Sequence, residues 1–148
     1  MSGLWASGPF ADAYADRNAD AGAKRGPFWR DLFARYPVAS ALEVGANVGA
    51  NIQHIREHVR HLAACDVNAK ALDMLALRCP DVETIVAPVQ HLPYADGTFA
   101  MVISCGVLIH ISPDHIKTAM SEIHRVSRQY IWGFEYFDTT YHDVEYRG

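Results

Sequence analysis

No run of basic or acidic side chains interrupts this sequence. The formal net charge of −4 is dispersed along 148 residues, so the electrostatic footprint of a nucleic-acid binder is missing and no nucleic-acid partner is expected. Nor does any stretch approach the roughly 20 apolar residues of a membrane span, so no membrane partner is expected either. The opening "MSGLWASGPFADAYADRNADAGAKRG" lacks the basic start and apolar run of a secretory signal. Cysteine is sparse: Cys65, Cys79 and Cys105 are odd in number and share no metal-ligand spacing. A reducing, cytoplasmic setting is the expectation, with no metal. Internal repeats and low-complexity segments are absent too.

What is present reads as one globular domain over residues 1–148, with 50% apolar residues to build a core. A Gly- and Ala-rich lead (1–26) precedes a core (27–148). "PFWRDLFARY" predicts a helix opened by Pro27 and closed by Pro37. "SALEV" is a short buried strand. In "GANIQHIREHV", Ile52, Ile55 and Val59 share a helical face. "HLAACD" is a second strand, and "NAKALDMLALRC" a helix capped by Asn68, with Leu72, Leu75 and Leu77 as its apolar positions. "ETIVA" and "TFAMVISC" are further strands, the latter continuously apolar as a buried parallel strand should be. Ser112 and Pro113 open a helix striped by Ile116, Ala119, Met120, Ile123 and Val126. "QYIWGFEYF" is a fifth strand. This alternation predicts a doubly wound, Rossmann-like α/β parallel sheet of order 3-2-1-4-5. Its ligand would bind at the carboxyl ends of the strands.

"ALEVGANVGAN" lies at such an end. A dinucleotide loop requires G-x-G-x-x-G, the middle glycine letting backbone approach the pyrophosphate. Here Asn47 holds that place, and Gly49 is the next glycine. The phosphate loop G-x-x-x-x-G-K-[ST] is also missing, with no lysine in reach. The loop therefore suits adenosine without phosphates. Asp66, ending the second strand about 20 residues on, stands where an acid grips ribose hydroxyls. S-adenosylmethionine is a ligand of this kind.

The sequence resembles the class I methyltransferases that use S-adenosylmethionine, and within them the branch named for pseudaminic acid biosynthesis. "FADAYADRN" resembles that branch's N-terminal motif, "LEVGANVGAN" its glycine loop, and "GVLIHISPDH" the segment after its fourth strand. "RQYIWGFEYF" and "VEYRG" resemble its fifth strand and sequel. The glycine loop is common to all class I enzymes, whereas "GVLIHI" and "EYRG" are more specific.

The resemblance implies residue roles. Glu43, Gly45 and Gly49 belong to the glycine motif, with Ala46 and Asn47 beside the methionine part of the cofactor. Asp66, followed by Val67, would hold the ribose. Tyr14 and Arg17 belong to an N-terminal lid, Arg17 being suited to the cofactor carboxylate. Ser104, Cys105 and Gly106 would line the methyl-transfer side, and His110 would face the acceptor. Many relatives place an Asp for the adenine amino group where this chain has Pro88, so backbone groups, Val89 and Gln90 are expected to hold adenine instead.

Plainer readings stand beside these. "HIREH" (54–58) fits the H-x-x-E-H pattern of some zinc peptidases, but without a third ligand it reads as a solvated helix face. Cys105 is either a nucleophile or strand-end packing. His110 is either a general base or a satisfied structural histidine. The fifth-strand aromatics read as core, with Glu135 and Tyr136, at the strand's carboxyl end, as catalytic candidates.

The expected function is methyl transfer to a small-molecule acceptor, a sugar or nonulosonate-pathway metabolite by resemblance. A cofactor-binding or assembly subunit without turnover is the alternative, and a nucleotide-dependent reductase a third, which Asn47 opposes. The alternative arises because class I enzymes continue into an antiparallel hairpin of strands six and seven, for which 138–148 is too short. The fifth strand then forms an edge lacking Lys and Pro, so cover by 138–148 or a homodimer across that edge is expected, with His142 near the partner.

Overall fold

A computed structural model describes residues 2–140 of the chain. Five strands form a single parallel sheet: β1 (Ser40–Val44), β2 (His61–Asp66), β3 (Glu83–Val86), β4 (Phe99–Cys105) and β5 (Ser127–Phe134). Their order is β3-β2-β1-β4-β5, as expected from the alternation of elements. Ala41 of β1 pairs with Leu62 on one side and Met101 on the other. The order reverses between β1 and β4, so a crevice opens at their carboxyl ends. No hairpin follows β5 among the described residues, and "VEYRG" and His142 lie outside them.

Alternation along the strands feeds two cores. Ala41, Ala64, Met101 and Ile103 pack against Trp29 and Phe33 of α3 (Gly26–Arg35), Ile52 and Ile55 of α4 (Ile52–Ile55), and Leu72 and Leu75 of α5 (Ala69–Arg78). On the opposite face, Leu42, Val44, Ala63 and Val102 meet Ala119, Ile123 and Val126 of α6 (Pro113–Val126). Covering both faces is what permits uniformly apolar central strands. Truncating a fully buried residue such as Leu75 to Ala is a change that costs about 2–5 kcal/mol.

Several local expectations are corrected. The helix after the glycine loop is a single turn, because His61 must pair with Ser40 and the chain needs residues 56–60 to turn back. Val59 still packs on the same core. Leu77 is 87% exposed, and Met120, on α6, is 54% exposed. Leu77 lies two positions after Leu75, a spacing that turns it away from the sheet-facing stripe. Asn68 does cap α5, accepting from the Ala71 N–H at 3.2 Å. The β5 aromatics are mostly not core. Only Trp132 packs inward, against Trp29 and Phe28, while Ile131 and Phe134 are exposed on this edge strand.

The lead segment folds into α1 (Ser2–Ala6) and α2 (Pro9–Arg17). Its packing residues are alanines, which carry little hydrophobic signal: Ala11 and Ala15 are fully buried, Ala15 against Val48 and Ala71. Among the described residues no helix is long and apolar enough to cross a membrane.

Candidate functional site

A cavity of about 610 Å³ opens over the carboxyl ends of β1, β2 and β4, within the usual range for a small-molecule site. Its floor is the β1 loop. Gly45 has φ 65°, and a Cβ there would run into Val107. Asn47 is the single non-glycine residue at positive φ (49°) among those described, a conformation asparagine tolerates better than most side chains. Its N–H donates to Asp66 Oδ2 at 2.8 Å, and the Asn68 N–H donates to Oδ1 at 2.9 Å. Burial pushes the Asp66 carboxyl up, while N–H donation from Asn68, Asn47 and Val67 holds it down. The loop and the acid thus form one bonded unit. Gly49 lies outside the cavity wall. Its φ of 83° and its closeness to Leu75, which leaves no room for a Cβ, show it shaping the turn from behind.

Glu43 is 2% exposed yet reaches the wall. Oε1 accepts from Asn51 Nδ2 at 2.6 Å, and Arg25 in turn donates to Asn51 Oδ1 at 2.7 Å. Oε2 has no hydrogen-bond partner among the described residues. Burial pushes this carboxyl up to about 8. A buried acceptor without a donor, on a residue of the cavity wall, fits a ligand that brings an ammonium group.

Most of the residues singled out from sequence meet in this wall. Tyr14 comes from α2, Glu43, Gly45, Ala46 and Asn47 from the β1 end, Asp66 and Val67 from the β2 end. Val89 and Gln90 line it as well, Cys105 and Gly106 follow β4, and His110 and Tyr136 complete the set. Burial raises the Tyr14 phenol and the Cys105 thiol, so Cys105 is a poor nucleophile.

Others are placed elsewhere. Arg17 is exposed, with its guanidinium 5.8 Å from the Tyr14 ring centroid and outside the wall. Ser104 and Glu135 also lie behind the wall, hydrogen-bonded to each other. Glu135 further accepts from the N–H groups of Val107 and Leu108, so it braces the loop instead of meeting an acceptor. The zinc-like "HIREH" histidines have structural contacts: His54 bonds to the Gly22 carbonyl at 2.7 Å, and His58 stacks on Phe33.

Sequence reasoning missed Trp5, Arg25, Asn51, His115 and Phe134, all in the wall. Trp5 lies with its ring 4.2 Å from that of His110 and edge-on to Tyr14. Asn51 was open to detection as the polar residue directly before an apolar helical turn. Arg25 was not, since its approach depends on how the lead folds back over α4.

The fold recurs in solved structures. The TehB-like S-adenosylmethionine-dependent methyltransferase of Corynebacterium glutamicum aligns with TM-score 0.69 and 21% identity, over 82% of this chain and 71% of that one. The mmp1179 protein of Methanococcus maripaludis aligns with TM-score 0.70 and 17% identity, over 84% of this chain and 62% of that one, so this chain spans less than two thirds of its length. The N-methyltransferase NodS of Bradyrhizobium japonicum, solved with S-adenosylhomocysteine, gives TM-score 0.65 and 19% identity, over 75% and 60%. No curated protein sequence matches the chain. Residues 41–129, from β1 into β5, match the family model described as a methyltransferase domain, and the chain belongs to that family.

Proposed function

We propose that the chain transfers a methyl group from S-adenosylmethionine to a small-molecule acceptor bound in the same cavity. One observation carries this: a single cavity is lined both by Gly45, Asn47 and Asp66 at the strand ends and by Trp5, His110 and Tyr136, which leaves room in this reading for a nucleoside and an acceptor together. S-adenosylmethionine supplies a methyl group made electrophilic by a positively charged sulfur. In this reading Asp66 holds the ribose hydroxyls, Glu43 faces the ammonium, and Arg25 faces the carboxylate. Val89 and Gln90 border the adenine. The remaining task is alignment of the acceptor. His110 takes the proton that a hydroxyl or amine sheds on attack. Burial holds its imidazole below the usual histidine value, against the opposing charge of Glu135, so it is neutral and able to accept at neutral pH.

A sugar or nonulosonate-pathway acceptor is the class supported by the resemblance of "FADAYADRN" and "GVLIHISPDH" to the pseudaminic-acid branch. A cytoplasmic setting belongs to this reading and is supported by the free thiols of Cys65, Cys79 and Cys105. Calorimetric titration with S-adenosylmethionine, S-adenosylhomocysteine and NAD, followed by label transfer to a panel of sugars and nonulosonates, tests it. Binding of NAD in preference to S-adenosylhomocysteine would overturn it. Cofactor binding without transfer to any acceptor would favour the cofactor-binding-subunit alternative.

A homodimer is part of the same proposal. The outer edge of β5 carries Ile131 and Phe134 exposed and has neither Lys nor Pro, so antiparallel pairing of two copies would satisfy its backbone. Sedimentation at micromolar concentration should show a dimer, and a monomer at all concentrations would remove it.

A further inference from the structure

We propose that Glu135 is a positioning residue for His110, its carboxylate tying the end of β4 to the turn that carries the imidazole into the cavity. The inference rests on reading His110 as the acceptor-side base. Oε1 of Glu135 accepts from the Ser104 hydroxyl and from the Val107 N–H at 3.1 Å, and Oε2 accepts from the Leu108 N–H at 3.0 Å. Val107 and Leu108 open the single 3-10 turn Leu108–His110. One isolated turn has few bonds of its own, here His110 N–H to the Val107 carbonyl and Ile111 N–H to the Leu108 carbonyl. Its first N–H groups would be left without intrahelical partners. Glu135 satisfies two of them with one anion.

The third contact gives the clamp its reference point. Ser104 is buried in β4, paired with Val44 of β1 on one side and Gly133 of β5 on the other. The Gly106 N–H donates to the Phe134 carbonyl at 2.9 Å, lacing the same loop to the strand that delivers Glu135. Val107 packs against Gly45, so the turn is held in register with the cofactor loop. A glutamine cannot reproduce this, because it offers one acceptor oxygen and its NH2 would face an N–H. An aspartate is one methylene short.

The clamp also places a negative charge near the imidazole. The other charged or titratable side chains around the cavity are Tyr14 from α2, Arg25 ahead of α3, Glu43 and Asp66 at strand ends, His115 from α6, and Tyr136. Cys105 is there too, its thiol raised by burial. Glu135 is the one whose charge opposes the effect of burial on His110.

Carbon-13-labelled histidine, with His110 assigned through His110→Asn, reads the clamp directly in the S-adenosylhomocysteine-bound protein. Glu135→Gln should lower the His110 titration midpoint, since it removes the charge that opposes burial, and change the shift imposed by the neighbouring Trp5 ring. S-adenosylhomocysteine affinity should stay within about threefold of the parent, and Glu135→Asp should recover part of the shift. A His110 signal with unchanged midpoint and shift in Glu135→Gln overturns the proposal. Where Glu135→Ala fails to fold, the near-isosteric Gln variant decides. Undiminished methyl transfer by His110→Asn would sink the base reading alone and leave the clamp standing.

Discussion

Asn51 donates its side-chain N–H to Glu43 Oε1 at 2.6 Å, while Oε2 of the same buried carboxyl, on a residue of the cavity wall, has no partner among the described residues. The carboxyl is therefore half-satisfied.

This makes stability pH-dependent in a defined direction. Burial raises the folded-state value of Glu43 from 4.5 to about 8, so between those limits the folded protein binds a proton that the unfolded chain has released. Its contribution is fully present below about pH 4.5 and is lost as pH rises through about 8. Chemical denaturation without cofactor should show a parent protein that weakens by a few kcal/mol across that window, and a Glu43→Gln variant that does not. Equal slopes in the two proteins would show that Glu43 is ionised throughout.

Asp66 carries a different expectation. Both its oxygens already accept backbone N–H bonds that lock the β1 loop, so Asp66→Ala removes the proposed ribose partner and loosens the loop together. S-adenosylhomocysteine affinity should fall by about 1–3 kcal/mol. Asp66→Asn, which keeps the shape, should lose less. Unchanged affinity in a folded Ala variant would refute the ribose assignment.

For the cofactor carboxylate, the geometry moves the expectation from Arg17 to Arg25. Arg25 sits in the wall and is held by Asn51, whereas Arg17 is exposed beside Tyr14. Arg25→Ala should weaken S-adenosylhomocysteine binding by about 1.5–3 kcal/mol, the scale of a charge-assisted bond. Arg17→Ala should change it by less than about 0.5 kcal/mol, as surface substitutions do. A larger loss in the Arg17 variant would restore the original reading.

The difference between these two arginines shows where sequence reading reaches its limit. Gly45, Asn47 and Asp66 were legible because their positions follow from strand ends and from one local φ requirement. The strand order followed from alternation and handedness in the same way. Arg25, Trp5 and His115 arrive from elements far apart in the chain, so only tertiary packing brings them together. Glu135 was legible as a strand-end acid, yet its role depends on a cross-loop bond to Val107 and Leu108 that no spacing encodes. The β5 aromatics misled for a related reason, since β-propensity does not say whether a strand is central or at an edge.

The lead segment provides the last test. Its helix α2 is docked rather than loose: Ala15 packs on Val48 and Ala71, Asn68 donates to the Ala11 carbonyl at 3.1 Å, and Lys70 pairs with Asp16. Arg78 of α5 also donates to the Ala19 carbonyl. These contacts meet the β1 loop and α5 from above and bring Trp5 and Tyr14 over the cavity. Among the described residues, none of the first twenty belongs to either sheet-facing core. Deleting residues 1–20 should therefore leave a folded domain that binds S-adenosylhomocysteine poorly. Circular dichroism with thermal melting would report the fold, and calorimetry the affinity. Parent-like affinity in the shortened protein would show that the segment is no lid. Collapse of the fold would show that the alanine contacts, small as they are, belong to the core.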